Sequence, residues 1–200
     1  MFTGLIESLG RVEAVTATDA GMRITVATTL APHLQPGESV SVNGVCLTAT
    51  RMDAAGVHAD IGPETARVTT LGSLRPGQPV NLERSIRADS RFGGHFVLGH
   101  IDAVGEVRLI RPEGDACWVT IQFPAALAPF IVRKGSIAVD GISLTVADLR
   151  ESEFDVMIIP FTWDHTNLSS VRAGDRVNLE CDMVGKYVAR AVELARGERG

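Results

Sequence analysis

Lysine is nearly absent from this chain of 200 residues: only Lys134 and Lys186 occur. The arginines are scattered, and the formal net charge is −5. That excludes the basic footprint of a nucleic-acid binder and of an anionic-lipid binder. No apolar run approaches the roughly 18 residues that span a bilayer. The opening MFTGLIESLGRVE has no basic flank before its apolar residues, so it does not read as a secretory signal. Aromatics make up 5%, with a single tyrosine, Tyr187. Cysteine is sparse too. Cys46, Cys117 and Cys181 are odd in number and far apart, which argues against a disulfide framework and for a reducing cytoplasm. There is no CxxC and no HExxH, and the five histidines lack metal-ligand spacing, so no metal site is expected.

What is present is a sequence written twice. Shifted by 97 residues, PETARVTTLGSLRPGQPVNLERS (63–85) lies over PFTWDHTNLSSVRAGDRVNLECD (160–182), with eleven of twenty-three positions identical. The same shift lays SVSVNGVCLTAT (39–50) over SIAVDGISLTVA (136–147). A shift of 95 lays FTGLIESLGRV (2–12) over VLGHIDAVGEV (97–107). The three blocks keep their order, which indicates duplication into two domains, 1–96 and 97–182. The joint lies near Arg91-Phe92-Gly93-Gly94, where paired glycines would let the chain turn freely.

Each half reads as β. Val40 and Val42 alternate with Ser39 and Ser41, Asn43-Gly44 follows, then Val45-Cys46-Leu47-Thr48. Asn-Gly between alternating runs signals a tight hairpin, because both turn residues take positive φ. Asp140-Gly141 repeats it. Further strands are expected near 9–17, 22–28, 56–61 and 79–86, and near 104–111, 117–123, 153–159 and 176–181. Short helices are expected at 29–35, 64–71, 125–131 and 161–168. About six strands per half without long helices predicts an all-β fold, each half a small closed antiparallel barrel. The tail, 183–200, differs. Val184, Tyr187, Val188, Ala191, Val192 and Ala195 form one stripe of a helix, and Asp182 stands at its N-cap. The stripe needs covering, either by its own chain or by other copies.

These residues resemble the riboflavin synthases. The likeness rests on MFTGLIE, the paired SVSVNGVCLT and SIAVDGISLT, GGHFVLGHID and VNLECDMVGKYV, and covers about residues 1–190. It implies two six-stranded Greek-key barrels, each holding one 6,7-dimethyl-8-ribityllumazine, in a homotrimer built with the C-terminal helix. It implies dismutation of two such molecules into riboflavin and a ribitylamino-pyrimidinedione. No cofactor is implied, since oxidation of one molecule balances reduction of the other. Association with lumazine synthase is left open.

The resemblance also implies site residues. In the first half these are Gly4, Leu5 and Ile6, then Cys46, Leu47 and Thr48, then Asp60, Ile61, Gly62, Pro63, Glu64 and Thr65. In the second they are Gly99, His100 and Ile101, then Lys134, then Ser143, Leu144 and Thr145, then Ile158, Ile159, Pro160, Phe161 and Thr162. Chemistry is expected from Phe2, Ser39, Cys46, His100, Ser143, Thr145 and Asp182. Each half is expected to furnish its own complete pocket wall. The halves must be unequal, because one lumazine loses a proton from its 7-methyl group and the other accepts attack at ring carbon 7. His100 stands where the first half has Leu5, and Ser143 where it has Cys46. A histidine relays protons near neutral pH, and a thiol or hydroxyl can add to a ring carbon or hold the water that does.

Each residue has a plainer alternative. Cys46 is also a common type of buried core residue. Thr48 and Thr145 suit any strand. His95 and His100 could simply cap a turn, Asp182 a helix, and Lys134 sits in a loop. Trp163 and His165 differ from the first half and receive no role. The rival to an enzyme is a non-catalytic lumazine- or flavin-binding protein, disfavoured by the polar pairs present in both halves.

Overall fold

The computed structural model describes residues 1–197. Alternation sends Val40, Val42, Val45, Leu47 and Ala49 inward, where all are buried. The hairpins between them turn as their sequences dictate. Asn43 and Asp140 both have φ of 45°, followed by Gly44 at 79° and Gly141 at 80°.

In the first half, β1 (Ser8–Thr18), β2 (Gly21–Ala27), β3 (Ser39–Val42), β4 (Val45–Asp53), β5 (Gly56–Ile61) and β6 (Pro79–Arg84) form a closed barrel in the order β1-β2-β5-β4-β3-β6. The second half repeats it with β7 (Ala103–Glu113), β8 (Ala116–Gln122), β9 (Ser136–Val139), β10 (Ile142–Leu149), β11 (Glu153–Ile158) and β12 (Arg176–Cys181). All pairings are antiparallel, and β2–β5 and β3–β6 are non-sequential neighbours, as in a Greek key. Each barrel encloses its own core, around Ile24, Leu47 and Leu82 in one and Ile121, Phe154 and Leu179 in the other. At roughly 1.5–3 kcal/mol per large buried side chain, each interior is a substantial source of stability. Both interiors are filled, so a ring-sized ligand must bind outside them.

The expected helices are shorter than their sequence windows. Residues 63–71 hold α1 (Pro63–Val68) and then a separate 3-10 turn, and the same break follows α2 (Pro160–His165). Thr69 and Thr166 cause the break. Each is extended, and its hydroxyl accepts the N–H two residues on.

The halves meet about a pseudo-twofold axis. Gly44 and Gly141 approach so closely that a Cβ on Gly44 would lie 2.6 Å from the Gly141 nitrogen. Asn81 donates to the Asp140 carbonyl and Asn178 to the Asn43 carbonyl, at 3.0 and 2.8 Å, with both asparagines fully buried. A short antiparallel pair around Phe2 and Val97 also lies between the barrels. Gly94 belongs to it, and the expectation that it frees a turn is corrected. A Cβ on Gly94 would lie 1.9 Å from the Thr3 carbonyl oxygen, so glycine permits close packing there.

Helix α3 (Met183–Gly197) follows β12. Asp182 Oδ1 accepts the Val184 N–H at 3.0 Å, as an N-cap does. Lys186 fastens the first turn to Asp102 at 2.7 Å. Val184, Tyr187, Val188 and Val192 are exposed, so this chain does not cover its own stripe. No helix among the described residues is long and apolar enough to cross a membrane.

Candidate functional site

On β4, Val45, Leu47 and Ala49 face the core while Cys46 and Thr48 face outward, half-buried and exposed. On β10, Ser143 and Thr145 repeat that placement. Ser39 lies opposite Thr48 across the β3–β4 ladder and shares its face.

These outward pairs sit at a gap in each sheet. β3 pairs with β4 from Val42↔Val45 to Ser39↔Thr48, but β5 joins β4 only from Ala49↔Ala59. Likewise β9 pairs with β10 as far as Thr145, and β11 joins only from Val146. Residues 46–48 and 143–145 therefore have one edge without a strand partner. On the far side of each gap the chain leaves the strand through Asp60–Gly62 into α1, or through Ile158–Ile159 into α2. Pro63 and Pro160 open these helices at the first helical position.

The segments covering the gaps cross between halves. The Cys46 N–H donates to the Gly99 carbonyl at 2.9 Å, and the Ser143 N–H to the Gly4 carbonyl at 2.8 Å. Ile101 packs on the first barrel's core and Ile6 on the second's. The expectation that each half supplies its own complete wall is thereby corrected. Gly4, Leu5 and Ile6 serve the Ser143 gap, whereas Gly99, His100 and Ile101 serve the Cys46 gap. Glycine is required at both crossings. Gly4 and Gly99 have φ of 78° and 83°, and a Cβ would lie 2.6 Å from Ser143 Cβ or 2.5 Å from Cys46 Cβ.

Two buried carboxylates, absent from the expected set, hold the crossing segments. Glu83 accepts from the N–H groups of Thr3 and Gly4 at 2.7 and 2.9 Å. Glu180 accepts from those of Leu98, Gly99 and His100 at 2.7, 2.9 and 3.2 Å. Burial pushes both carboxyls above the ordinary range while these N–H groups pull them back. The signal for them was the VNLE that both copies share.

Lys134 occupies the repeat position of Gly37 and keeps its left-handed backbone, φ 67° against 92°. Its N–H bonds to Val146 as that of Gly37 bonds to Ala49. A lysine held in this left-handed region costs about 1–2 kcal/mol. Phe161 is 67% exposed, with its ring stacked on His165 at 4.1 Å.

The other expected residues fall into distinct places. Leu47, Ile61 and Ile158 are buried in the cores, and Leu144 packs against one, so at the gaps they offer backbone. Asp60 is engaged by Arg23 and Glu64 by Arg67. Thr65 and Thr162 use their carbonyls to bind Thr69 and Thr166. Phe2 is fully buried with Val97 and Ala138, and Cys46 packs on that cluster, so its position is structural. The His100 ring is exposed and makes no hydrogen bond among the described residues. His95 instead meets Ser143, with Nδ1 2.7 Å from Oγ. A cavity of about 430 Å³ lies elsewhere, between the barrels near Asn43 and Asp140.

The lumazine binding domain family matches residues 3–85 and again 98–182. A riboflavin synthase from Actinobacillus pleuropneumoniae is 44% identical over 94% of this chain and 88% of its own length. One from Mycobacterium bovis is 45% identical over 98% of this chain and 100% of its own. The chain belongs to the riboflavin synthase family. The duplicated barrel is shared more widely. LumP, solved with riboflavin and with 6,7-dimethyl-8-(1'-D-ribityl) lumazine, superposes with TM-scores of 0.85 and 0.82 at 26% and 25% identity. Each superposition covers 90% of this chain, and 99% and 98% of LumP.

Proposed function

We propose that this chain converts two molecules of 6,7-dimethyl-8-ribityllumazine into riboflavin and 5-amino-6-ribitylamino-pyrimidinedione, the last step of riboflavin synthesis. The observation carrying this reading is one open sheet edge, present twice and chemically unequal. Strand N–H and C=O groups alternate in direction. The Cys46 N–H points into the gap, so that of Thr48 does too. A lumazine has an imide, an N–H between two carbonyls, that can occupy such an edge as an added strand would. Ile101 or Ile6 then supplies an apolar contact for the ring.

The first edge carries Cys46 and Thr48. The second carries Ser143, Thr145, His95 and Lys134. One ring gives up a 7-methyl proton, and the resulting carbanion attacks ring carbon 7 of the other. Four carbons then pass between the rings. Holding two rings together replaces a bimolecular encounter and supplies a large part of the rate.

The two rings come from different chains. Gly4 and Gly99 lie about four strand residues apart along the Phe2–Val97 pair, or about 13 Å. Rings in contact need about 3.5 Å. The reacting pair therefore joins the Cys46 edge of one subunit to the Ser143 edge of another. The uncovered stripe on α3 supports such assembly, as a cytoplasmic homotrimer. Purified protein given the lumazine alone, with a chelator and no nicotinamide, should release riboflavin, two substrates per product. Binding without riboflavin formation contradicts the reading.

A further inference from the structure

The two crossing segments end on matched carboxylates that are neutralised differently. Glu7 and Asp102 occupy the same repeat position, and their N–H groups donate to Leu82 and Leu179, both at 2.9 Å. Glu7 Oε1 accepts the Arg84 N–H at 2.7 Å, while Oε2 takes the Arg84 guanidinium at 2.9 and 2.7 Å. The strand that binds Glu7 therefore also supplies its counter-charge. Asp102 Oδ2 accepts the Cys181 N–H at 2.8 Å in the same way. Cys181 is the repeat-mate of Arg84, and a thiol carries no positive charge. The cation comes instead from Lys186 Nζ on α3, 2.7 Å from the same oxygen. The appended helix thus replaces a charge that the second copy lacks.

This pair is more enclosed than most ion pairs of the chain, with the Lys186 and Asp102 side chains 28% and 22% exposed. Next to it stands Glu180, which holds the Leu98, Gly99 and His100 N–H groups. Burial is the main cause that raises the Glu180 pKa, and Asp102 adds to it. Lys186 and the N–H groups oppose that rise. Without Lys186, two neighbouring carboxylates would repel, and Glu180 would hold its three N–H groups less well as it gained a proton. The segment released is the one whose Gly99 carbonyl accepts the Cys46 N–H. The first crossing segment has no such dependence, because Arg84 lies within its own barrel. The start of α3 is fixed tightly enough to carry the effect. Asp182 caps it, and a Cβ on Gly185 would lie 2.9 Å from the Phe130 carbonyl oxygen.

We propose that Lys186 is a positioning residue for the first edge: by neutralising Asp102 it makes the seating of α3 a condition for holding Gly99, His100 and Ile101 over Cys46. As a device acting on ligand binding, this rests on the lumazine reading above. It makes the first edge answer to α3, while the second edge keeps its cover independently.

Lys186→Met in the full-length protein tests this by amide hydrogen exchange without ligand. Exchange at Leu98, Gly99 and His100 should quicken about tenfold, as for loss of one charge-assisted hydrogen bond. Exchange at Thr3 and Gly4, which Glu83 holds, should change less than about twofold. Lys186→Arg should keep the wild-type pattern. In an Asp102→Asn background, where no carboxylate needs neutralising, Lys186→Met should have little further effect. The riboflavin concentration that protects Cys46 from alkylation should rise about tenfold in Lys186→Met. Unchanged exchange at 98–100 overturns the proposal, even if light scattering shows a smaller oligomer. An equal rise at Thr3 and Gly4 overturns it too, since that is general loosening. So does an undiminished effect in the Asp102→Asn background, or unchanged protection of Cys46 despite faster exchange. If Lys186→Met does not fold, Lys186→Gln, which keeps a donor but no charge, is read by the same criteria. Failure of riboflavin to protect Cys46 in the wild type would sink the lumazine reading separately, while the ligand-free exchange still decides the role of Lys186.

Discussion

Replacing Gly99 by alanine should disable the first edge and spare the second. Alanine at φ 83° costs about 1 kcal/mol against glycine. Its Cβ would stand 2.5 Å from Cys46 Cβ and 2.8 Å from the Cys46 nitrogen, so backbone must move. Losing the hydrogen bond from Cys46 to the Gly99 carbonyl adds about 1 kcal/mol. With the displacement the total is about 2–4 kcal/mol, and the melting point should fall by about 5–15 °C. Gly4→Ala should cost a similar amount at Ser143, where its Cβ would meet Ser143 at 2.6 Å. Cys46 is half-buried while Cys117 and Cys181 are buried, so alkylation followed by mass spectrometry reports on the first edge. Saturating riboflavin should protect Cys46 in wild type and in Gly4→Ala, and fail to protect it in Gly99→Ala. Protection lost in Gly4→Ala and kept in Gly99→Ala would refute the crossing.

Asp140 and α3 give two further expectations. Asp140 is fully buried at the barrel interface, and desolvation pushes its carboxyl up to about 6 despite hydrogen bonds from Asn178 and Asn167. The folded state therefore favours the protonated form. Its contribution is complete below about pH 3.8, the ordinary aspartate value, and is lost as pH rises through about 6. Wild type should lose stability relative to Asp140→Asn between about pH 4 and 6 in denaturant titrations. A difference independent of pH would be incompatible with a raised pKa. Deleting residues 187–200 keeps the Lys186–Asp102 pair but removes most of the apolar stripe. Light scattering should then find species smaller than the full-length oligomer, and an unchanged mass would remove α3 from the assembly.

Much of the fold was legible because duplication and turn chemistry are local signals. Asn43-Gly44 and Asp140-Gly141 announced hairpins that no other residues form as readily. Alternation on β4 and β10 put Cys46 with Thr48, and Ser143 with Thr145, on one shared face in advance. The crossing was not legible. Gly4 aligns with Gly99 whichever barrel each one covers, because an offset preserves order and carries no spatial partner. His95 escaped for a related reason: it lies outside the aligned blocks, and its contact with Ser143 spans 48 residues. Glu83 and Glu180 were visible within VNLE, but a glutamate in a strand ordinarily reads as solvent-facing. Lys134 lies just outside the aligned block 136–147, and only its backbone angle, φ 67°, turned a loop lysine into a constrained one.

The central claim is that the reaction joins the Cys46 edge of one subunit to the Ser143 edge of another. Subunit mixing tests it most directly, with Cys46→Ala in one chain and Ser143→Ala with Thr145→Ala in the other. Each parent must be folded and nearly inactive, and subunit exchange must be demonstrated by mass. Mixed oligomers should then form riboflavin measurably faster than either parent, because intact first and second edges meet across an interface. Absence of rescue despite proven exchange would contradict the claim, since every chain would still carry one damaged half of an intrachain site.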